Sequence, residues 1–363
     1  MILVNETAIS AGIKHWEEST CIIFQRVSPE LKITPLIEFI KGDGCYSNVG
    51  AYRHGRQYVS IDEGCNTLGT VAHEIGHVLG LFHEQARFDR DNYVQVVHTN
   101  IAYEYAGQFV KQSLDTINPF GVDYDLGSAM HYDQFAFSGN GLPTLRTLDH
   151  NYQLTIGQRK QLSFNDIKKI NFAYCNRTCI LQLPCQRGGY TDPKLCSRCR
   201  CPEPFSGIFC ELPRPGSSLC GTLEHHANEA IQTLTMAGVG ECNYVIKIFM
   251  LQAKPSKRIY LLFDAFKFDS SVLCGDSFTE VRYKDVSNTG ARFCNVKPEP
   301  LVSETNEAIV MYHGDALSYF VIRFRALEQS ETDSKTAVKS ISVLNFIPYD
   351  VDLGIPATKL VPT

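Results

Sequence analysis

The sequence is poor in several features that would narrow its class. No apolar run approaches the length of a bilayer-spanning helix. No long basic stretch is present, and 34 Lys+Arg against 39 Asp+Glu leave a net charge of −5, too mild to imply a nucleic-acid partner. There is one tryptophan, and no internal repeat is visible. The first residues lack the charged-then-apolar pattern of a secretory signal. Instead Ile9, Ile13 and Trp16 recur at helical spacing, the pattern of an amphipathic helix.

Cysteine, by contrast, is plentiful. There are 14, an even number, unevenly spread: three before residue 66, seven from Cys175 to Cys210 and four from Cys220 to Cys294. Crowding of this kind reads as a disulfide framework made in an oxidising compartment; free or metal-binding cytosolic thiols are the alternative. Two sequons, Asn5-Glu6-Thr7 and Asn176-Arg177-Thr178, mark Asn5 and Asn176 as candidate glycosylation sites and agree with a secreted, extracellular protein.

Three zones follow one another. In residues 1–177, Cys21–Phe24, Leu36–Ile40 and Gln57–Ile61 read as strands, residues 68–80 as a helix, and Ser163 as the start of another with Asp166 completing a capping box. Ile167, Ile170 and Tyr174 fall on one face of that helix. Mixed elements without regular alternation predict an α+β domain. Residues 178–211 are too short of large apolar residues to build a core, so cysteines must staple them. In residues 220–327, Val245–Phe249, Tyr260–Phe263, Phe278–Arg282 and Tyr319–Phe324 predict a β-sandwich. Residues 328–363 open as a polar linker and end in a tail with no assigned role.

The chemistry is concentrated in His73-Glu74-Ile75-Gly76-His77-Val78-Leu79-Gly80-Leu81-Phe82-His83-Glu84. On a helix His73 and His77 lie one turn apart on one face, so both imidazoles can reach a single ion. Glu74 stands about 100° around the helix, beside the ion, where a carboxylate can take a proton from an attacking water. His83 would point away if the helix continued. Gly80 can supply the left-handed turn that brings it back as third ligand. Three protein ligands leave an open position, the arrangement of a catalytic zinc site. A bare pair of histidines flanking a glutamate also occurs on ordinary helix surfaces; Gly80 and His83 are what set this segment apart.

The full motif is that of the metzincins. With Glu84, Arg87 and Asp89-Arg90-Asp91 after it, and Ser128-Ala129-Met130-His131-Tyr132 further on, the chain resembles the astacin family. The resemblance implies a protease domain of two subdomains with a helix-borne zinc site in the cleft and one Zn2+ per chain. It places Met130 as the hydrophobic floor beneath the metal and Tyr132 as a further ligand that swings away to stabilise the oxyanion. It makes Gly44–Gly50 a strand edge that binds substrate, with Tyr46 and Asn48 its side chains, although a plain edge strand fits those residues equally. It implies disulfides Cys21–Cys175 and Cys45–Cys65. It also implies a freed N-terminus reaching Glu84. Nothing in residues 1–20 supplies that partner, so Glu84 is expected to be a buried carboxylate without one, and the sequence to be a fragment or a chain started late.

Beyond the protease, Cys179 to Cys210 with Gly188-Gly189-Tyr190 resemble an EGF-like module, which implies Cys179–Cys196, Cys185–Cys199 and Cys201–Cys210. Six cysteines alone allow 15 pairings. Cys220, Cys242, Cys274 and Cys294 resemble those of a CUB domain and imply Cys220–Cys242 and Cys274–Cys294; Ser277 stands where many such domains carry a calcium-binding aspartate, so no calcium site is expected. His225-His226 reads as a surface pair rather than a metal site. The expected function is a secreted zinc-dependent endopeptidase acting on extracellular or matrix proteins, with the CUB region making protein contacts. The rival is a non-catalytic binding protein acting through its EGF-like and CUB modules.

Overall fold

A computed structural model of the chain describes residues 5–28, 34–248, 257–268 and 273–328. Helix α1 (Glu6–Ser19) begins at Asn5, whose side chain accepts the Ala8 amide. Trp16 is fully buried, and its Nε1 donates to Ala72 O at 2.9 Å across the junction with helix α2 (Leu68–Val78). The two helices cross closely because residue 12 is glycine: a Cβ there would lie 2.6 Å from Val71 Cγ1. Strands β1 (Leu36–Ile40), β2 (Tyr46–Ser47) and β3 (Arg56–Ser60) form a sheet of order β1-β3-β2, with β1 parallel and β2 antiparallel to β3. The expected strand at Cys21–Phe24 does not form. Its amides turn back to the end of α1 instead, Ile22 N to Thr20 Oγ1 and Phe24 N to Glu17 Oε1.

Past His83 regular structure thins to 3-10 turns and the short pair β4 (Val94–Val96) and β5 (Leu145–Thr147). Helix α3 (Phe164–Tyr174) opens with the anticipated capping box: Asp166 N donates to Ser163 Oγ at 3.1 Å and Ser163 N to Asp166 Oδ2 at 3.0 Å. Ile167 and Ile170 are buried on its inner face, but Tyr174 is exposed, and only its hydroxyl returns, to Leu79 O. One apolar cluster joins α1, α2 and α3 around Trp16; a second, around Phe109, Tyr124, Tyr132 and Leu145, lies below it.

The seven bridges are Cys21–Cys175, Cys45–Cys65, Cys179–Cys196, Cys185–Cys199, Cys201–Cys210, Cys220–Cys242 and Cys274–Cys294, and no cysteine is left free. Residues 178–213 hold two small hairpins, β6 (Tyr190–Thr191) with β7 (Cys199–Arg200) and β8 (Phe205–Ser206) with β9 (Leu212–Pro213).

The remaining strands are β10 (Glu224–Ala227), β11 (Gln232–Ala237), β12 (Gly240–Ile248), β13 (Lys257–Lys267), β14 (Phe278–Arg282), β15 (Ala291–Phe293), β16 (Leu301–Val302), β17 (Glu307–Gly314) and β18 (Tyr319–Glu328). They form two facing sheets of order β10-β12-β17-β14-β15 and β11-β18-β13-β16. Phe263, Tyr312, Phe320 and Phe324 are buried between them. Phe249, read as part of a strand, and the tail from residue 329 lie outside the described residues.

On β14, Glu280 is 1% exposed and accepts from Arg282 Nε at 2.9 Å, Arg292 Nε at 3.0 Å and Gly290 N at 2.9 Å. Burial pushes its pKa up, but the two guanidiniums and the amide outweigh burial and hold it at about 2. The folded value lies below the unfolded one of about 4.3, so its contribution is full above that pH and is lost as pH falls toward the folded value. Calorimetry should therefore show Tm falling between pH ~4.5 and ~2. Glu280→Gln should lower Tm at pH 7 and flatten that dependence; a Glu280→Gln protein with the parent's acid slope would assign the transition to other carboxylates.

Candidate active site

Helix α2 begins at Thr67, whose side chain accepts the Thr70 amide, and carries His73 and His77 on its inner face. It stops at Val78. Gly80, at φ +100°, turns the chain, and Gly80 N and Leu81 N bond back to His77 O and Gly76 O at 2.9 Å each. A side chain at this φ would be strained, which is why glycine sits here. The turn delivers His83 to the other two imidazoles, and ring nitrogens of all three lie within 4.8 Å of one another.

The tautomers follow from the partners. His73 Nδ1 lies 2.7 Å from Ala129 O and His77 Nδ1 lies 2.7 Å from Leu81 O. A carbonyl only accepts, so both nitrogens carry the hydrogen and both Nε2 lone pairs are free. His77 Nε2 and His83 Nε2 face each other at 3.2 Å. Burial lowers the pKa of all three rings and keeps them neutral. Three converging neutral imidazoles suit a divalent cation such as zinc. Glu74, next to them, is 3% exposed and has one carboxylate oxygen buried without a hydrogen-bond partner. Burial pushes this carboxyl up to about 7, and a cation alongside would pull it back toward the ionised form.

Met130 is buried beneath the ligand helix. A Cβ on Gly76 would lie 3.0 Å from its Sδ, so the glycine between the two ligands lets the helix rest on the thioether. The Met130 turn is gripped by α3: Asp166 accepts the Ser128 hydroxyl at 2.5 Å and the Ala129 amide at 2.8 Å. The Ala129 carbonyl then receives His73 Nδ1, so Asp166 orients this imidazole through a single residue. The Tyr132 ring lies 4.3 Å between centroids from that of His83, tilted by 54°, and Phe109 and Phe137 flank it. Burial pushes its hydroxyl up to about 12. Edge strand β2 lies close by: Gly50 N donates to His77 O at 2.8 Å, while Asn48 pairs with Tyr52 and Tyr46 is exposed. Asn5 and Asn176 are both exposed on the surface. His225 sits 6.0 Å from the Tyr244 ring, far in the sandwich, and does not join any metal-binding group among the described residues.

Two features differ from expectation or were not foreseen. Glu84 is not a carboxylate without a partner. It accepts from Arg87 Nη1 at 3.1 Å, Asp125 N at 3.0 Å and, from α3, Lys169 Nζ at 2.5 Å. Burial raises its pKa, but Lys169 and Arg87 more than offset that and leave it low. The partner escaped notice because it lies 85 residues away. The second feature is Arg159. Its Nη1 donates to His131 O at 2.8 Å, and its charge acts on Glu74, on all three histidines and on Tyr132. No carboxylate among the described residues lies in ion-pair distance of it. Nothing in the motif marks this residue. A Cβ on Gly69 would stand 1.8 Å from Arg159 O, so the arginine's backbone is pressed against the start of the ligand helix.

Asp166→Asn keeps the size of the side chain but turns one acceptor into a donor facing donors. Zinc affinity, measured by chelator competition, should fall about 10–100-fold, the range for groups that orient metal ligands. Parent-like affinity would show that the Ala129 peptide needs no such anchor.

The model of the astacin peptidase family matches residues 3–175. The zinc metalloproteinase nas-34 of Caenorhabditis elegans is 45% identical over 325 residues, 89% of this chain and 53% of that protein. The zinc metalloproteinase dpy-31 of Brugia malayi is 39% identical over 325 residues, 85% of this chain and 53% of that protein. Thus the chain spans about half the length of the curated relatives it matches. Among solved structures, high choriolytic enzyme 1, a hatching enzyme zinc-protease of Oryzias latipes, is 36% identical over 47% of this chain and 82% of its own, with a TM-score of 0.42. The ligand triad, the glycine turn and the matched residues together carry one conclusion: through its residues 3–175 the chain belongs to the astacin family of zinc metallopeptidases.

Proposed function

We propose that the protein is a secreted zinc endopeptidase that hydrolyses peptide bonds of extracellular proteins. The observation that carries this reading is the unpartnered oxygen of buried Glu74 beside three imidazoles whose lone pairs converge. His73, His77 and His83 would hold the zinc. The metal, when bound, polarises the scissile carbonyl and lowers the pKa of water.

Glu74 takes the proton of the attacking water as the new C–O bond forms. The scissile C–N bond then breaks and Glu74 returns that proton to the leaving nitrogen, giving an amine and a carboxylic acid; the acid's proton then passes to the amine, leaving a carboxylate and an ammonium group. Tyr132, held protonated by burial, can donate its hydroxyl to the oxyanion that forms between these steps. The exposed edge of β2, with Tyr46 and Asn48, offers an extended substrate a strand to pair with. Arg159 makes no ion pair among the described residues, and its charge acts on Glu74 and Tyr132; it would favour a substrate with an acidic side chain beside the scissile bond.

Seven disulfides with no free cysteine support an oxidising, extracellular setting. No described helix is long and apolar enough to cross a membrane. The stapled segment 178–211 we read as an EGF-like module and the sandwich 220–327 as a CUB domain that makes protein contacts. Residues 1–177 are the catalytic domain on this reading.

The test is hydrolysis of a quenched fluorescent peptide pool with and without a zinc chelator. Parent protein should cleave, and chelator should abolish cleavage. Glu74→Gln should keep its zinc and lose about 10²–10⁴ in rate; Tyr132→Phe should lose about 10²–10³ in kcat with little change in KM. A folded, zinc-loaded parent that cleaves nothing would refute the reading. Arg159→Gln should erase any preference for an acidic residue at the cleavage position while sparing a neutral peptide.

A further inference from the structure

The sandwich does not hang from the catalytic domain by a linker. The turn between β14 and β15, residues 283–290, is seated on it. Lys284 Nζ reaches Asp149 Oδ2 at 2.8 Å, and the Tyr283 hydroxyl donates to the same oxygen. Thr155, fully buried, gives its hydroxyl hydrogen to Gly290 O at 3.3 Å and accepts Arg292 N at 3.0 Å. Asn165 Nδ2 donates to Asn288 Oδ1 at 2.8 Å. Thr289 stands so close to Gly127 that a Cβ on that glycine would lie 2.3 Å from its methyl group. Tyr152 is counted in the sandwich's own core.

These contacts bracket Arg159 on both sides. Thr155 and Asn165 are held by the turn, and between them Gln158 Nε2 donates to Gly127 O at 2.9 Å and Arg159 to His131 O. Gly127 opens the segment that ends in Met130. The turn itself is pre-shaped within the sandwich, since Glu280 binds Gly290 N and both neighbouring guanidiniums. A side chain on an irregular segment holds its place only if that segment's polar groups are satisfied; here part of that satisfaction comes from another module.

We infer that the 283–290 turn of the sandwich is a positioning element of the peptidase: by clamping Asp149, Thr155 and Asn165 it fixes the segment that carries Arg159, which is bonded to His131 O beside Tyr132, so that substrate selection depends on the docked sandwich. This rests on the reading of Arg159 and of the site given above.

The experiment uses the full chain and two lesions in the dock. Thr155→Val keeps shape and deletes both hydrogen bonds, with Thr155→Ser as the hydroxyl-restoring control. Lys284→Glu sets two carboxylates against each other at Asp149. Each is assayed on one peptide carrying either Asp or Ala next to the scissile bond. Both lesions should raise KM for the Asp peptide about ten-fold relative to the Ala peptide, leave kcat on the Ala peptide and zinc content unchanged, and Thr155→Ser should behave as parent. An unchanged Asp/Ala ratio in both lesions overturns the inference. Hydrogen exchange at residues 156–161, read on the same proteins, needs no activity: lost protection in both lesions supports the inference, and parent-like protection overturns it. A parent that cleaves neither peptide refutes the peptidase reading, and the exchange data then decide the coupling alone.

Discussion

The geometry of the metal-binding cluster depends on one buried carboxylate. Asp166 caps its own helix through Ser163 and, with the same two oxygens, takes the Ser128 hydroxyl and the Ala129 amide. Burial raises the pKa of a carboxyl this deep, and it needs several donors to stay; here the donors include the turn that must be placed. The turn in turn supplies Met130 as a floor and the Ala129 carbonyl as the acceptor that fixes the His73 ring. The Cys21–Cys175 bridge ties the end of α3 to the end of α1, so the helix that holds the turn is fixed at both ends.

A second buried charge group sits one helical turn along α3. Lys169 meets Glu84, which follows His83 directly, and Arg87 shares the same carboxylate. Deleting one member of such a group costs about 3–5 kcal/mol, because its partners are left buried and uncompensated. The cluster therefore works as a lock rather than as a source of net stability. It fixes the residue after the third ligand to the same helix that fixes the first. Buried charge here is met either by opposite charge, as at Glu84, or by neutral donors, as at Asp166. Glu74, with one buried oxygen unpartnered beside the three imidazoles, is the exception.

What the sequence reveals divides along local and non-local lines. The ligand helix is legible because a 3.6-residue repeat puts His73 and His77 on one face, and the turn at Gly80 because few other residues tolerate its φ. The capping box of α3 is legible for the same reason: Ser163 and Asp166 signal within four residues. Lys169 under Glu84 and Arg159 against His131 O are not. Each is an ordinary basic residue whose meaning arises only when distant segments meet. Cys21–Phe24 misleads in the other direction. Its composition is strand-like, but the bridge at Cys21 pins the segment, and side-chain acceptors at the end of α1 take the Ile22 and Phe24 amides that a ladder would need. Tyr174 lies at the right period for burial and is exposed, because the helix ends there and only its hydroxyl finds a partner.

The segment between His83 and α3 poses the sharper physical question. Between His83 and α3 the chain has two strands of three residues each and a series of short turns. A segment so poor in ladders must satisfy its backbone through side chains and neighbours. Some of those partners are internal, such as Gln158 bridging Gly127 and Gln161. Others come from the sandwich, whose strands are long, regular and densely packed about aromatic rings. Rigidity can thus pass from the module with the strongest core to the segment with the least regular structure. An arginine that makes no ion pair among the described residues gains its direction from that transfer, since its own helix and strand neighbours are too few to provide it. On this argument the order of modules along the chain is a mechanical feature of the site: the element that needs support precedes, and is closed upon by, the one that can give it.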